Sequence, residues 1–581
     1  MIKLLRYLQP YRWLLVLILI LAIGQSTANL YLPNLMSDIV NNGIAAFDTA
    51  YIWKTGALMA LVAIGGTICT LIGIYFSSRV ATGMSKKLRS EIFNKVQGFS
   101  LHEFDLVSTA SLITRTTNDA TQIQQVMVMI LSMIITAPIT LVIGIILALR
   151  QDVGLSWILV AIMPVLVGVI LTLLFKAIPL FSVMQTKLDK LNLILDENLT
   201  GVRVVRAFDR TKHEEQRFDI ANQDVTNIAV KVNQLMAIMM PTMMFMINIS
   251  SIAIIWFGSL RVAGNHLEIG AMFAFLQYAT QILFSLLMVA LLFIMIPRAE
   301  ASAKRINEVL DMAPEIVDPK LKKTKTNTQK RGYIEFKDVT FSYQGAEKPA
   351  LSNLSFKTLP GEMTAIIGGT GSGKSTLVNL IPRFYDVDSG QILIDGIDVR
   401  DISQKELRSK IGFVPQKAVL FAGTINDNLR YGKEDATEAE IKHAANVAQA
   451  TEFISKMPDA FNSRIAEGGT NVSGGQMQRL SIARALIRKP EIYIFDDTFS
   501  ALDFKTDAKL RAALKAETRQ STVLIVAQRV STVMDADQII VLDDGKIVGI
   551  GTHQELMKSC DVYKGIVSSQ LSATEIAEEN Q

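Results

Sequence analysis

Nine residues, GGTGSGKST from Gly368 to Thr376, have the composition and order of a phosphate-holding loop. They follow the apolar stretch MTAII and lead into LVNLI, the strand–loop–helix setting that such a loop requires. Glycines there let backbone N–H groups approach phosphate oxygens, and the start of a helix favours an anion. In this chemistry Gly368, Thr370, Gly371, Ser372, Gly373 and Thr376 cradle phosphate, Lys374 meets the β and γ oxygens, and Ser375 reaches Mg²⁺. ATP with Mg²⁺ is the implied ligand pair.

Two further stretches carry polar groups suited to the same chemistry. NVSGGQMQRLSIARAL sets Ser473, Gly474, Gly475 and Gln476 at a helix start, a second phosphate-facing surface. A single nucleotide uses both loops of one compact domain only if they are adjacent, so two such loops suggest nucleotide shared between subunits. Arg479 and Arg484 on the same helix read as a solvated or ion-paired face. EIYIFDDTFSALD, residues 491–503, is a buried strand ending in two carboxylates, Asp496 and Asp497.

The order of Gly368–Thr376, Gln416 in FVPQ, VSGGQ at 472–476, IYIFDD and SALD at 500–503 resembles the nucleotide-binding domain of the ATP-binding cassette (ABC) family. The resemblance implies a dimer with two ATPs between two cassettes, each held by one chain's phosphate loop and the other's VSGGQ signature. It implies that Tyr343, 25 residues ahead of the phosphate loop, stacks on adenine. Gln416 would approach Mg²⁺ and the membrane-domain stalks, Asp496 would hold the metal through water, and Asp503 would cross the interface. Glu467 matches an acidic loop just before the signature.

Two positions depart from the family pattern. The residue after the metal-binding aspartate is normally glutamate, which polarises the attacking water; here it is Asp497, one methylene shorter. A retreat of about 1 Å costs about 10²-fold in rate. The switch position, normally histidine, holds Gln528 in TVLIVAQRVSTV, and an amide neither carries charge nor shuttles a proton. With every ATP-binding element retained, the pair resembles the degenerate half of heterodimeric exporters. The implied partner is a second ABC half-transporter chain with Glu after its metal-binding aspartate and a switch His, whose site this chain's Ser473–Gln476 completes.

The elements that must position these groups divide the chain. At 581 residues, half hydrophobic and 19% charged, it exceeds one core and has the composition of a membrane protein. Six stretches of about 13–37, 55–76, 125–149, 153–175, 234–260 and 270–297 lack Asp, Glu, Lys and Arg and suffice to cross a bilayer. Six Lys/Arg lie in 77–119 and nine in 176–231, against one in each of 38–54, 150–152 and 261–268. By the positive-inside bias both termini and both long loops are cytoplasmic, at an inner or plasma membrane. The first span is too long for a signal-peptide core and lacks a cleavage site, so it is expected to be retained.

The long loops have helical periodicity, so the spans are expected to continue below the bilayer. Residues 311–332 lose that periodicity and read as a linker, with the polar tail at 571–581. The expected fold is a six-helix transmembrane domain, 1–310, with cytoplasmic helical extensions. An α/β phosphate-loop ABC domain with an antiparallel β portion follows at 333–570. Six spans ahead of the cassette resemble the half-transporter exporters. Cys69 and Cys560 lie either side of the divide and read as packing residues, and a net charge of +4 gives no argument for nucleic acid.

The fifth span holds six methionines between Met236 and Met246, a polarizable surface suited to apolar ligands. Met240 and Met244, with Phe275, Tyr278 and Gln281 of the sixth span, are the candidate cargo-cavity residues. The cargo expected is hydrophobic or amphipathic, of multidrug type. With twelve residues before the first span, no appended peptidase is expected, which slightly lowers the peptide-processing reading. The alternatives are a homodimeric lipid or peptide exporter, and a regulatory membrane protein that binds ATP without transport.

Overall fold

The computed structural model describes residues 1–319 and 331–570. Residues 320–330 of the expected linker and the whole of the expected tail 571–581 lie outside them. The chain forms two compact units: residues 1–98 with 107–313, and residues 99–106 with the chain from Pro314 onward.

The first unit is built of six long helices, α1 (Ile2–Ile44), α2 (Thr49–Gln97), α3 (Thr109–Gln151), α4 (Val153–Thr200), α5 (Thr211–Ala263) and α6 (Ile269–Asp311). Each contains a window long and apolar enough to cross a membrane. At about 1.5 Å per residue, the 49 residues of α2 reach roughly 70 Å, more than twice a hydrocarbon core. The excess length is the helical extension that the loop periodicity predicts. Side chains fix the helix starts: Asp48 accepts from Tyr51 N–H at 3.0 Å and Asp152 from Leu155 N–H at 2.7 Å. Asp152 also takes the Arg261 Nε of α5 at 2.9 Å, and the buried Asp119 of α3 takes Ser302 Oγ and Arg305 Nε of α6 at 2.9 and 2.8 Å. Each carboxylate is buried while its arginine is 40–45% exposed, so these contacts anchor one helix against another at a fixed register.

The apolar centre of the bundle includes Leu30, Ala148, Ile254, Phe275, Tyr278 and Ile282. Phe275 and Tyr278, expected to line a cargo cavity, are fully enclosed in this cluster. Met240 and Met244 face outward, 55% and 63% exposed, and Gln281 donates to the Asn29 carbonyl at 3.4 Å. Composition marked these residues as ligand-like, but the helix faces divide them between core and surface.

The second unit layers two sheets. The first is antiparallel, order β2-β1-β4-β5, from β1 (Ile334–Phe341), β2 (Leu351–Thr358), β4 (Ser389–Ile394) and β5 (Ile397–Asp398). The second has order β12-β11-β3-β10-β9-β6. Its members are β3 (Met363–Gly368), β6 (Ile411–Val414), β9 (Ile492–Asp496), β10 (Thr522–Val526), β11 (Gln538–Asp543) and β12 (Lys546–Gly551). A two-residue ribbon pairs β7 (Gly423–Thr424) with β8 (Arg464–Ile465).

β3, β6, β9, β10 and β11 run parallel, and only β12 is antiparallel. Alternate residues face opposite layers, Ile366, Ile494, Leu524 and Ile540 into one apolar cluster and Ile367, Phe495, Ile525 and Val541 into the other. A parallel sheet covered on both faces needs such uninterrupted apolar strands. Val526 of β10 is in register with both Asp496 of β9 and Ile366 of β3. The carboxyl ends of three strands therefore open side by side, where ligands of such sheets bind.

Candidate nucleotide site

The loop leaving β3 curls over α7 (Lys374–Leu380). Gly373 adopts φ +95°, and a Cβ there would sit 2.6 Å from Leu351 Cδ2, so only glycine fits the turn. The Lys374 ammonium folds back onto its own loop, donating to the carbonyls of Gly368 and Gly369 at 2.9 and 2.6 Å and reaching the buried Ser372 hydroxyl at 3.4 Å. Burial lowers its pKa, and Asp497 and Asp496 nearby oppose that shift. Thr370 and Gly371 are exposed at the rim.

Ser375 Oγ donates to Asp496 Oδ1 at 2.9 Å, bridging the phosphate loop to β9. A hydroxyl and a carboxylate at that spacing are hard oxygen donors that fit Mg²⁺, which keeps several waters and takes few protein ligands. Burial raises the Asp496 pKa, partly offset by the Ser375 hydrogen bond. Thr376 Oγ1 lies 3.0 Å from Tyr343 Oη, tying the phosphate loop to the ring expected to meet the base.

Tyr343 is 39% exposed and packs edge-on against Phe341 and Tyr385. These rings border a cavity of about 580 Å³, whose other walls include Asp386, Asp388 and two residues of the first long loop, His102 and Asp105. Asp105 accepts from Tyr385 Oη at 3.3 Å. That loop segment, 99–106, is held to this unit by the buried Glu103 carboxylate, which accepts from Ser100 N–H and Oγ at 2.5 and 2.6 Å and from Glu315 N–H at 2.9 Å. Burial pushes the Glu103 pKa up, but these hydrogen bonds outweigh it and hold it below the usual glutamate value. Periodicity predicts a helical loop there, and nothing local in its sequence marks the docking.

The two departures meet at one atom. Asp497 Oδ2 accepts from Gln416 Nε2 at 3.0 Å and from Gln528 Nε2 at 2.9 Å. The main chain of Asp497 takes φ +45°, with its N–H on the Val526 carbonyl at 3.0 Å. Its pKa is raised by burial, against the lowering effect of Gln416 and Ser500. The shorter carboxylate is thus held between two neutral amides. Gln416, expected to approach the metal, donates its Nε2 to Asp497.

Across the unit, α8 (Gly474–Ile487) begins at a reciprocal cap: Gln476 N–H donates to Ser473 Oγ at 3.3 Å and Ser473 N–H to Gln476 Oε1 at 2.9 Å. Ser473 and Gly474 are exposed, with open space above Gly474. Gly475 approaches the Ala501 carbonyl, 3.1 Å from where a Cβ would stand. Asp503 caps α9 (Phe504–Glu517) by accepting from Thr506 N–H at 2.9 Å, which lowers its pKa. Glu467 is exposed in the loop before the signature.

The two arginines of α8 differ from expectation. Arg479 donates to the Gln449 carbonyl at 2.9 Å. Arg484 donates to Asn428 O, Val419 O and Asn428 Oδ1, each at 3.0 Å, between the rings of Phe421 and Tyr431. Neither is a solvated or ion-paired face: both guanidiniums tie backbone carbonyls inside the unit, and helical spacing alone does not distinguish the two cases.

A phosphate loop, a metal-suited hydroxyl–carboxylate pair and six bilayer-length helices in one chain define an ATP-driven membrane transporter. Family models agree: residues 15–287 match the ABC transporter transmembrane region and residues 351–500 match the ABC transporter domain. An uncharacterized ABC transporter ATP-binding protein of Mycobacterium tuberculosis is 43% identical over 98% of each chain. An ATP-dependent lipid A-core flippase of Syntrophus aciditrophicus is 32% identical over 91% of this chain and 87% of that protein. A solved bacterial Atm1-family ABC exporter with ATP bound superposes with a TM-score of 0.81 at 26% identity, covering 98% of this chain and 99% of that one. The chain belongs to the ABC transporter family, as an exporter half that fuses membrane and ATPase domains and couples ATP hydrolysis to transport.

Proposed function

We propose that this chain is one half of a two-chain exporter of hydrophobic or amphipathic compounds, whose own phosphate-loop site holds ATP and hydrolyses it slowly. The observation that carries this reading is the Asp497 carboxylate shared by the Gln416 and Gln528 amides. A water-activating base must present a free lone pair beside the phosphate; both amides occupy Oδ2, so that role falls to Oδ1 of a side chain one methylene shorter than glutamate. Losing general-base assistance costs roughly 10²–10⁴ in rate.

Binding draws on different residues. Tyr343 stacks on the base, the loop from Gly368 to Thr376 cradles the phosphates, and Lys374 leaves its own carbonyls to neutralise the β and γ oxygens. Ser375, and Asp496 through water, would hold Mg²⁺, which would supply charge neutralisation at the phosphates, and the Gln416 Oε1 would approach it while Nε2 stays on Asp497. Ser473, Gly474, Gly475 and Gln476, open at the start of α8, complete the partner's site, and Asp503 lies at the interface. The partner supplies the glutamate and histidine that stand at neither Asp497 nor Gln528.

A second chain is also supported at the far loop. The short helix Val202–Ala207 has no buried residue, and Leu199, Val204 and Phe208 around it are 65%, 61% and 74% exposed. Apolar side chains clustered at a loop predicted to be cytoplasmic are suited to burial by another subunit. The flippase among the relatives supports a lipid-like amphiphile as cargo, so a homodimeric lipid exporter is the competing reading. ATP turnover by this chain alone should be at least 10-fold below that of its complex with a chain bearing Glu and His, each reconstituted in lipid. Equal turnover would sink the two-chain reading and favour the homodimer.

A further inference from the structure

The switch segment carrying Gln528 is gripped from behind by the last described residue of the chain. Gln570, at the end of α10 (Asp561–Gln570), donates Nε2 to the Gln528 carbonyl at 2.7 Å and accepts the Val530 N–H on Oε1 at 2.8 Å. Both halves of one side-chain amide are used, on two backbone groups two residues apart. Gln570 itself is exposed, so packing does not explain its placement.

The helix behind it is firmly seated. Tyr563 and Val567 are buried in the same apolar cluster as Val530 and Val533, and Tyr563 Oη lies 2.7 Å from His553 Nδ1. Residues 563, 567 and 570 fall on one helix face, so the anchored turn delivers the Gln570 amide to the segment. Val530 opens the short helix Val530–Val533, and its N–H is a first-turn donor without an intrahelical partner. The Ala527 N–H is held on the Ile366 carbonyl of β3 at 3.1 Å, fixing the other end. Gln528 therefore has its carbonyl on Gln570 and its side-chain amide on Asp497.

We propose that Gln570 is a positioning residue for ATP turnover: its two-pronged hydrogen bond to the switch segment sets where the Gln528 amide stands against Asp497. Helix α10 is then part of the hydrolytic apparatus, acting through the switch segment. This inference does not rest on the two-chain reading, because it concerns the cassette's own switch.

The test uses the full-length chain in lipid nanodiscs. Hydrogen exchange over 527–533 should accelerate at least 10-fold in Gln570→Ala, while exchange over 561–567 stays unchanged. Gln570→Glu keeps the acceptor for Val530 N–H and loses the donor to Gln528, so it should give an intermediate rate. Single-turnover hydrolysis of radiolabelled ATP should slow about 3- to 10-fold in Gln570→Ala, within the range seen when catalytic positioning is loosened, with ATP affinity within 2-fold. In a Gln528→Ala background the same substitution should add less than 1.5-fold, the coupling expected of residues acting through one another. Unchanged exchange at 527–533, or equal slowing in both backgrounds, would overturn the proposal; loosening of 561–567 as well would make Gln570 a helix-stability residue instead.

Discussion

The two polar edges of the ATPase unit are finished differently. At the phosphate-loop edge the functional groups are satisfied within the chain: Lys374 on its own carbonyls, Ser375 on Asp496, and Gln416 and Gln528 on Asp497. At the signature edge Ser473 and Gly474 stand exposed, and Ser473 and Asp503 use their side chains only to cap their own helices. A closed edge is suited to gripping a ligand inside one unit, whereas an open edge with capped helix starts is a surface awaiting one. The difference teaches that composition and enclosure diverge here. The edge with unusual residues is the enclosed one, and the edge with the regular motif is the exposed one.

The sharpest way to break this comparison is to obstruct the open edge. Gly474→Asp should lower turnover of the two-chain complex by about 10²-fold, because it places an anion and a side chain where the partner's phosphate would lie. Lys374→Ala in this chain should cost the complex at most about 10-fold while weakening nucleotide retention at the closed edge. Equal losses for the two would erase the asymmetry.

Restoring the missing groups should convert the closed edge. Asp497→Glu combined with Gln528→His should raise turnover by this chain alone by about 10- to 10²-fold, the scale of recovered general-base assistance. No gain in single-turnover assays would mean that the shorter carboxylate is not the limiting feature.

A smaller effect is expected at the base pocket. Tyr343→Ala should weaken ATP binding by about 1–2 kcal/mol, and Tyr343→Phe, which loses only the bond to Thr376, by about 0.5–1.5 kcal/mol. Titration with a fluorescent ATP analogue measures both; equal losses would place the contribution in the hydroxyl rather than the ring.

Glu103 offers the smallest test, through pH. Its folded pKa is depressed, so its contribution to docking of 99–106 is present above the unfolded value of about 4.3 and disappears as pH falls through the lower folded value. Hydrogen exchange of 99–106 should match at pH 7 and 5 after correction for intrinsic rate, then rise below about pH 4. Glu103→Gln should remove that pH dependence.

Local residues made much of this legible. The run GGTGSGKST identifies its loop because a glycine-rich turn between strand and helix is specified by neighbours in the chain. The six spans are equally local, since the absence of charge over bilayer length is a property of a continuous segment. Asp497 and Gln528 were each noticeable as substitutions at known places. Their shared contact was not, because they lie 31 residues apart, with Gln416 81 residues from Asp497. The methionine and aromatic residues of α5 and α6 show where residue type alone is insufficient: which face of a helix is covered depends on its neighbours.

The sequence by itself determined the class of machine, the nucleotide it uses and the two residues at which its chemistry departs from the family pattern. Those follow from short motifs and from hydrophobic length, which need no partner segment to be read. Only tertiary structure decided that Gln416 and Gln528 converge on one carboxylate oxygen, that the first loop tip docks through Glu103, and that Gln570 reaches the switch. The carboxylate and switch contacts join segments brought together by the order of the parallel sheet, and strand order is set by the collective burial of the apolar layers rather than by the residues that it brings into contact.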